Sequence, residues 1–272
     1  MFKKVLGVLL GLSLLGLFAC SQKEAANTVS VGTIAGPETQ LMQVAKKVAK
    51  KRYGLNIKIV TFSDYLTPNT ALNEGSIDAN AFQHLPYLKA QIKMHRYKII
   101  PIAKTFLYPM ALYSQKINKL SQLKEGAKVG IPNDPSNEAR ALLLLQSAKL
   151  IRLRHGAGIN ATPLDVVENP KKLKFVALDA AELPRVLSDV AIAAINTNYA
   201  VPSGLSPSKD ALFEESTKSP YTNIIAIRPS EKNAKKIKEL VASFQSEPVV
   251  KEAKKLFGDA AIPGFKVKIP KF

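Results

Sequence analysis

The chain has 272 residues, of which 22% are charged, and its 39 basic and 21 acidic side chains give a formal net charge of +18. Its single cysteine excludes an internal disulfide. The positive charge raises nucleic acid as a partner, but the lysines lie on polar faces of predicted helices, as Lys46 and Lys50 do opposite Leu41. We therefore predict no nucleic-acid binding.

Residues 1–19 have the composition of a secretory signal peptide. Lys3 and Lys4 precede an apolar run that extends from Val5 to Ala19. This run is shorter than the ~20 apolar residues that a membrane-spanning helix requires. We therefore predict a cleaved signal rather than a retained anchor helix.

The signal ends in Leu17-Phe18-Ala19-Cys20, which resembles a lipobox, although Phe18 is bulkier than usual at its position. A free thiol is the alternative, but an exposed lone cysteine in an exported chain would be reactive. We predict that Cys20 is lipidated and that residues 20–28 tether the protein to a cell membrane, facing the periplasm or the exterior. Two acyl signals are enough to hold a soluble domain on a bilayer.

The first half of the remaining chain alternates predicted strands with helices. An amphipathic helix opens at Gly36-Pro37 and ends near Gly54, and a shorter helix covers "TPNTALNEG" (67–75). Alternating or continuous apolar patterns predict the strands. These are "VSVGT" (29–33), "NIKIVTF" (56–62), "SIDANAF" (76–82), "YKIIPIA" (97–103) and "YPMALYS" (108–114).

The second half repeats this opening. A strand at "VGI" (129–131) is followed by Asp134 as a helix cap and by Pro135, which starts a helix through "ARALLLLQSAKL" (139–150). Further strands are predicted at "KFVALDA" (174–180), "VAIAAIN" (190–196) and "YTNIIAIRP" (221–229). Helices are predicted at "ELPRVLSD" (182–189) and, as an amphipathic pair, across 231–258.

The repeated strand, turn, proline and helix predict two similar α/β lobes. We expect the chain to cross between them near 108–114 and again near 219–223, so that the C-terminal helices return to the first lobe. The predicted boundaries are 29–110 with 222–272 for lobe 1, and 111–221 for lobe 2. A hinged cleft would lie between the lobes.

Several catalytic and cofactor signatures fail. "HGAGINA" (155–161) matches a dinucleotide fingerprint, but no strand precedes it and Pro163 follows where a helix should start. His84, His95 and His155 have no partners at metal-ligand spacing. We predict no cofactor and no metal.

The segment "DANAFQHLPYL" (78–88) follows a predicted strand, and open α/β folds bind ligands at the carboxyl ends of their strands. Phe82, His84 and Tyr87 are the rings at this exit. They suit a pocket wall. They equally suit two core residues and a histidine that caps the next helix, and their spacing alone does not decide between these readings.

Six segments together resemble the methionine-binding lipoproteins of the NlpA family, which serve methionine ABC importers. The resemblance runs in order from Val29 to about Gly258. The segments are "TFSDYLTPNTAL", "DANAFQHLPYL", "VGIPNDPSNEARALLLLQ", "LDVVENPKKLKFVALDAAELPR", "INTNYA" and "SPYTNIIAIR".

This resemblance implies a two-lobed, type II-like periplasmic substrate-binding protein fold, with a mixed sheet flanked by helices in each lobe. It also implies that the protein is not an enzyme. The expected ligand is methionine, in the L form or alternatively the D form, bound in the cleft. The expected partners are an ABC permease and its ATPase.

The resemblance also implies a set of ligand-binding residues. Tyr65, Phe82, His84 and Tyr87 would surround the thioether side chain. Arg140 would bind the carboxylate, while Asn196 and Asn223 would bind the amino and carboxylate groups; Asn198 is a weaker candidate.

The chemistry of these residues suits a buried zwitterion, which needs partners for both of its charges. A guanidinium can give a carboxylate two charge-assisted bonds, amide oxygens can accept from an ammonium, and sulfur packs favourably against ring edges. Without the resemblance, Arg140 reads equally as a solvent-facing helical arginine, and the asparagines as residues that end strands in turns.

Three other functions remain open on the sequence alone. One is an enzyme on the same scaffold that uses His84 and Tyr65 as an acid–base pair. Another is a surface lipoprotein whose positive charge binds anionic polymers. The third keeps the fold but binds another apolar amino acid or a methionine dipeptide.

Overall fold

The computed structural model describes residues 27–266. The predicted signal peptide, Cys20 and residues 20–26 of the predicted tether lie outside this range, as do residues 267–272 of predicted lobe 1. None of the described helices has the length and apolar character needed to cross a membrane.

The first lobe is built on a five-stranded mixed sheet with the order β2-β1-β3-β13-β4. Strand β1 runs parallel to β2 and β3, whereas β13 runs antiparallel to β3 and β4. The strands are β1 (Thr28–Ile34), β2 (Asn56–Phe62), β3 (Ala79–His84), β4 (Ile100–Lys104) and β13 (Asn223–Ile227).

The second lobe has a five-stranded sheet of the same design, with the order β10-β7-β11-β6-β12. Strand β7 runs parallel to β10 and β11, and β6 runs antiparallel to β11 and β12. The strands are β6 (Ala111–Tyr113), β7 (Lys128–Pro132), β10 (Lys174–Leu178), β11 (Ile192–Ile195) and β12 (Phe213–Glu214). The predicted two-lobed α/β fold with mixed sheets is therefore confirmed.

Two short strand pairs lie apart from these sheets. Strand β5 (Phe106–Leu107) pairs with β14 (Ile262–Pro263), and β8 (Arg152–Leu153) pairs with β9 (Val166–Glu168). Because β4 and β13 belong to the first sheet and β6 and β12 to the second, the chain passes between lobes before β6 and again after β12.

Eight α-helices accompany the strands within residues 27–266. The helix over 37–53 is preceded by Gly36, has proline at its first position and is closed by Gly54 in the left-handed conformation. The helices are α1 (Pro37–Tyr53), α2 (Thr67–Asn73), α3 (Leu85–His95), α4 (Pro135–Ser147), α5 (Thr197–Ala200), α6 (Pro207–Asp210), α7 (Lys235–Phe244) and α8 (Glu247–Phe257).

Each lobe has its own apolar core, and a third cluster joins them. In the first lobe α1 and α7 pack on the sheet and α8 packs on α1, burying Leu41, Leu240 and Val249. In the second lobe the leucine face of α4 is buried, as predicted. The joining cluster brings Phe82 and Tyr87 of the first lobe against the second. Burial of this shared surface favours the approach of the lobes.

The predicted helix at "ELPRVLSD" is wrong, because residues 182–189 form a succession of turns. Pro184 has no N–H to donate, and it disfavours helical geometry at Leu183. The bonds that form include two that close four-residue turns, from Arg185 N to Glu182 O and from Asp189 N to Val186 O. Leu183 is nevertheless fully buried.

Candidate functional site

A cavity lies between the lobes. It is bounded by His84 at the end of β3, by Asn196 directly after β11 and by the first turn of α4 after β7. The carboxyl ends of parallel strands therefore meet at the cavity, as expected for open α/β sheets. The side chains that line it are Tyr65, Phe82, Gln83, His84, Tyr87, Tyr108, Asn137, Arg140, Asn196, Thr197, Asn198 and Asn223.

All seven cavity residues named in the sequence analysis line this space. Tyr65, Phe82, His84, Tyr87 and Asn223 come from the first sheet and its connections, whereas Arg140 and Asn196 come from the second. The structure thus brings the seven side chains together from distant parts of the chain. Cys20 lies outside the described residues.

Aromatic rings form one wall of the cavity. The ring of Tyr65 lies 5.8 Å from that of Phe82 and 5.9 Å from that of Tyr87, and Phe82 and Tyr87 meet edge to face at 6.0 Å. Tyr199, which sequence reasoning missed, lies 4.9 Å from Tyr65. Phe82 and Tyr87 also belong to the apolar cluster that joins the lobes. These two rings are therefore core residues and line the cavity as well.

His84 both caps α3 and faces the cavity. Its Nδ1 accepts a hydrogen bond from the backbone N–H of Tyr87 at 3.1 Å, so a neutral ring carries its proton on Nε2. That Nε2 donates to Asn137 Oδ1 in the other lobe at 3.2 Å. Burial, with the nearby Arg140 cation, lowers the pKa of His84 to about 3. The ring is therefore neutral at physiological pH.

The orientation of Asn196 follows from a hydrogen-bond network that begins at Asp134, the N-cap of α4. The Asp134 carboxylate accepts from the backbone N–H and from Nδ2 of Asn137, both at 2.9 Å. Asn137 therefore presents Oδ1, which accepts from Asn196 Nδ2 at 3.0 Å. This leaves the buried Oδ1 of Asn196 with no partner in residues 27–266, as an acceptor at the cavity.

Asn223, the first residue of β13, is oriented in a similar way in the other lobe. Its Nδ2 donates to Glu38 Oε1 at 3.1 Å and to the Phe82 carbonyl at 3.0 Å. Both amide hydrogens are thereby engaged, so Oδ1 is left to accept. The two asparagines present an amide oxygen from each lobe.

Arg140 is 3% exposed, so its reading as a solvent-facing helical arginine is wrong. Its Nε and Nη2 bond to the Glu215 carboxylate at 3.1 and 2.5 Å, and Nη2 also donates to the Tyr108 carbonyl at 2.9 Å. The Tyr221 ring lies 4.5 Å from Cζ. Because Glu215 occupies one edge of the guanidinium, Nη1 is the nitrogen left without a partner among the described residues.

Sequence reasoning missed several lining residues, of which Asn137 was the easiest to find. Asn137 and Arg140 are three positions apart on α4, so they share a helix face.

Asn198, the weaker candidate of the sequence analysis, also lines the cavity. It accepts from the Tyr65 hydroxyl at 2.7 Å, and its buried Nδ2 has no partner within the described range. No local pattern marks Glu215, which reaches Arg140 from 75 residues away.

The chain is similar to proteins of known name and structure over nearly all of its length. The D-methionine-binding lipoprotein MetQ of Salmonella typhimurium is 50% identical over 254 residues, covering 92% of this chain and 94% of that protein. A periplasmic substrate-binding protein of an ABC transporter from Coxiella burnetii is 64% identical, with a TM-score of 0.85 over 87% of this chain and 100% of its own.

A third relative was solved with a ligand. A nutrient-binding protein from Burkholderia cenocepacia, whose structure contains methionine, is 51% identical, with a TM-score of 0.86 over 87% of this chain and 100% of its own. The sequence profile of the NlpA lipoproteins matches residues 29–265. From this match and these identities, the chain belongs to the NlpA lipoprotein family.

Proposed function

We propose that this protein binds methionine in the cavity between its lobes and delivers it to an ABC importer. The observation that carries the proposal is the set of unpaired polar atoms there: the oxygens of Asn196 and Asn223 and Nη1 of Arg140. These atoms complement an ammonium and a carboxylate held side by side. The relatives named as methionine-binding, one of which was solved with methionine, support the same ligand.

Binding a free amino acid in a closed cavity requires that both of its charges be satisfied. The two amide oxygens accept from the ammonium without adding a buried charge of their own. Nη1 of Arg140 donates to the carboxylate in a charge-assisted bond, and Nδ2 of Asn198 is a second donor close by. Because Glu215 already holds one edge of the guanidinium, the ligand contact runs through Nη1 rather than through a two-nitrogen fork.

The rings determine which amino acid fits. Tyr65, Phe82 and Tyr87 surround the part of the cavity that takes the ligand side chain, with His84 beside them. A thioether sulfur against aromatic edges contributes roughly 0.3 to 1.5 kcal/mol per contact beyond area burial. A neutral His84 adds no charge that would favour an acidic side chain. This lining favours methionine over polar amino acids.

The receptor cycle that we propose uses the two lobes as a clamp, with lobe 1 formed by 29–110 and 222–272 and lobe 2 by 111–221. Ligand contacts made by both lobes stabilise the closed state only. The closed protein then meets the permease, whose ATPase drives release. Lipidation at Cys20 would keep the receptor close to that permease.

An enzyme on this scaffold is the weaker proposal. Burial lowers the pKa of His84 to about 3 and raises that of Tyr65 well above its usual range. Both rings therefore keep one protonation state near neutral pH, whereas general acid–base groups work best near the ambient pH. Within residues 27–266, no cluster of three acidic, histidine or cysteine side chains is arranged to hold a metal ion.

Calorimetry of the full chain in detergent, after partial unfolding to strip bound ligand, tests the proposal. We expect methionine to bind with one site, while Arg140→Lys keeps the cation beside Glu215 but loses Nη1 and weakens binding by about 100-fold. The control Arg185→Lys changes an exposed guanidinium of the second lobe and should bind as the unaltered chain does.

Equal methionine affinities in Arg140→Lys and in the unaltered chain would show that Nη1 of Arg140 does not bind the carboxylate. Turnover of methionine would favour the enzyme. Tight binding of another apolar amino acid or of a methionine dipeptide, but not of methionine, would keep the fold and change the ligand.

A further inference from the structure

Glu38 is a buried acid that the proposed ligand contacts do not use. It is the second residue of α1, and it is only 5% exposed. It does not line the cavity, yet its Oε1 accepts a hydrogen bond from Asn223 Nδ2 at 3.1 Å. Its buried Oε2 has no partner in the described part of the chain. An acid with one bond to a binding-site side chain requires a reason for its burial.

An ordinary structural role does not supply that reason. Acids in the first turn of a helix are favourable because they face the free N–H groups and the positive end of the helix dipole. Glu38 makes no hydrogen bond to those N–H groups among the residues described. Burial raises its pKa to about 8, so the protein offers little compensation for its charge. A ligand cation in the neighbouring cavity would compensate the negative charge of Glu38.

The contact with Asn223 determines what the cavity presents. Glu38 Oε1 and the Phe82 carbonyl each take one amide hydrogen of Asn223, and together they fix the side chain so that Oδ1 remains for the ligand. If Glu38 is removed, one buried amide hydrogen loses its acceptor, at a cost of about 1–3 kcal/mol. Without that acceptor the amide of Asn223 is held by the Phe82 carbonyl alone, so Oδ1 is no longer fixed toward the ammonium of the ligand.

We propose that Glu38 is a positioning residue that restricts this site to ligands with a free α-ammonium group, by holding the Asn223 oxygen toward the cavity and by placing a carboxyl group behind it. This inference rests on the proposed function. It assigns the requirement for an amino group to a residue that does not touch the ligand. A ligand acylated on its nitrogen would lose its positive charge and keep a single N–H donor, so it would not match this arrangement.

A comparison of two ligands tests the proposal: methionine and 4-(methylthio)butanoic acid, which has the same side chain and carboxylate but no amino group. Binding is measured by calorimetry, with titration of the analogue to millimolar concentrations, on the full chain and on Glu38→Leu and Glu38→Gln. Thr39→Val is the matched control, since Thr39 lies in the same helical turn and its hydroxyl bonds, within residues 27–266, only to Thr33 and Ile34. Thermal unfolding verifies that each variant folds.

In Glu38→Leu we expect methionine affinity to fall by about tenfold or more, as for a lost buried acceptor, and affinity for the analogue to stay unchanged. Glu38→Gln keeps an oxygen for Asn223 and should recover most of the methionine affinity. Thr39→Val should leave both ligands unaffected. The decisive result is a loss of affinity for methionine without a loss for the analogue, because a general disturbance of α1 would weaken the binding of both ligands.

Equal loss for both ligands, or no loss for either, would overturn the role of Glu38. If Glu38→Leu does not fold, Glu38→Asp replaces it: the shorter side chain withdraws the carboxylate from Asn223, so the same split is expected and its absence overturns the proposal. Failure of the unaltered chain to bind methionine would instead overturn the proposed function, and this inference with it.

Discussion

Asn196 and Asn223 come from different lobes, yet each is oriented by a carboxyl group that does not line the cavity. Asp134 acts on Asn196 through Asn137, and Glu38 acts on Asn223 directly. An asparagine side chain offers a donor and an acceptor of nearly equal size, so its neighbours decide which one meets a ligand. In this protein the two carboxyl groups orient Asn196 and Asn223 so that the amide oxygen of each faces the ligand.

The raised pKa of Glu38 predicts a stability effect at the residue scale. Between its ordinary value of 4.5 and about 8, the folded protein holds a proton that the unfolded chain releases. Stability therefore falls as pH rises through this window. Glu38→Gln has no such proton, so its stability relative to the unaltered chain should increase from pH 5 to pH 8.5, by an amount on the order of a few kcal/mol.

Denaturant unfolding of both proteins at the two pH values measures this difference. Other titrating groups are common to both proteins and cancel in the comparison. A difference in stability that stays constant between the two pH values would contradict a raised Glu38 pKa.

At this scale the sequence was informative about the ligand-facing side chains and uninformative about their supports. The seven cavity residues follow from the resemblance to a known family. Glu38 and Glu215 do not, because their partners lie 185 and 75 residues away, and an acid in a first helical turn or after a short strand reads as solvated. Only the fold shows that Glu38 is buried beside an asparagine and that Glu215 is partly buried beside an arginine.

At the scale of elements, the start of α4 combines a cap with two functional side chains. Asp134 accepts the backbone N–H of Asn137, and Arg140 lies one turn further along the same face. Helix capping and cavity geometry therefore depend on one carboxylate.

Asp134→Ala should cost about 1 kcal/mol of stability, as is usual for a lost N-cap, and should also weaken methionine binding, because Asn137 is then free to rotate and to release Asn196. The control is Asp165→Ala, which removes another carboxylate that accepts a backbone N–H in the second lobe but contacts no cavity residue. Asp165→Ala should lose stability but keep its methionine affinity. Equal binding by both variants, measured by calorimetry, would show that the network does not orient Asn196.

Most elements could be predicted from periodicity and caps. Helix α1 begins at Pro37 and ends before Gly54, as its signals indicate, and α4 begins at Pro135 after Asp134. The predicted helix at residues 182–189 does not form, because Pro184 interrupts it and the segment folds into turns. The two-residue strands, such as β5 and β12, are too short for an alternating pattern, because tertiary contacts rather than local preference make them extended.

At the scale of the whole molecule, the lobes touch at a point outside the cavity. Gly36, just before α1, has φ +113, and a Cβ built on it would lie 3.0 Å from Pro202 Cγ in the second lobe. The contact between the lobes thus disfavours a side chain at this position, on conformational and on steric grounds.

Gly36→Ala should therefore reduce both stability and methionine affinity. Gly75→Ala is the matched control: Gly75 also has positive φ, at +85, but a Cβ there meets nothing within 4 Å. It should lose about 1 kcal/mol of stability through the strained backbone and keep its affinity. Thermal unfolding and calorimetry separate the two effects, and equal affinity in the two variants would show that closure tolerates a methyl group at residue 36.

The ion pair between Arg140 and Glu215 makes the polar end of the cavity electrically neutral before any ligand arrives. A zwitterion also carries no net charge, so its capture leaves the electrostatic field around this strongly basic protein almost unchanged. Dissolved ions act on fields that extend beyond about 10 Å at 0.1 M. We accordingly expect methionine to bind this protein equally tightly in dilute and in saline surroundings.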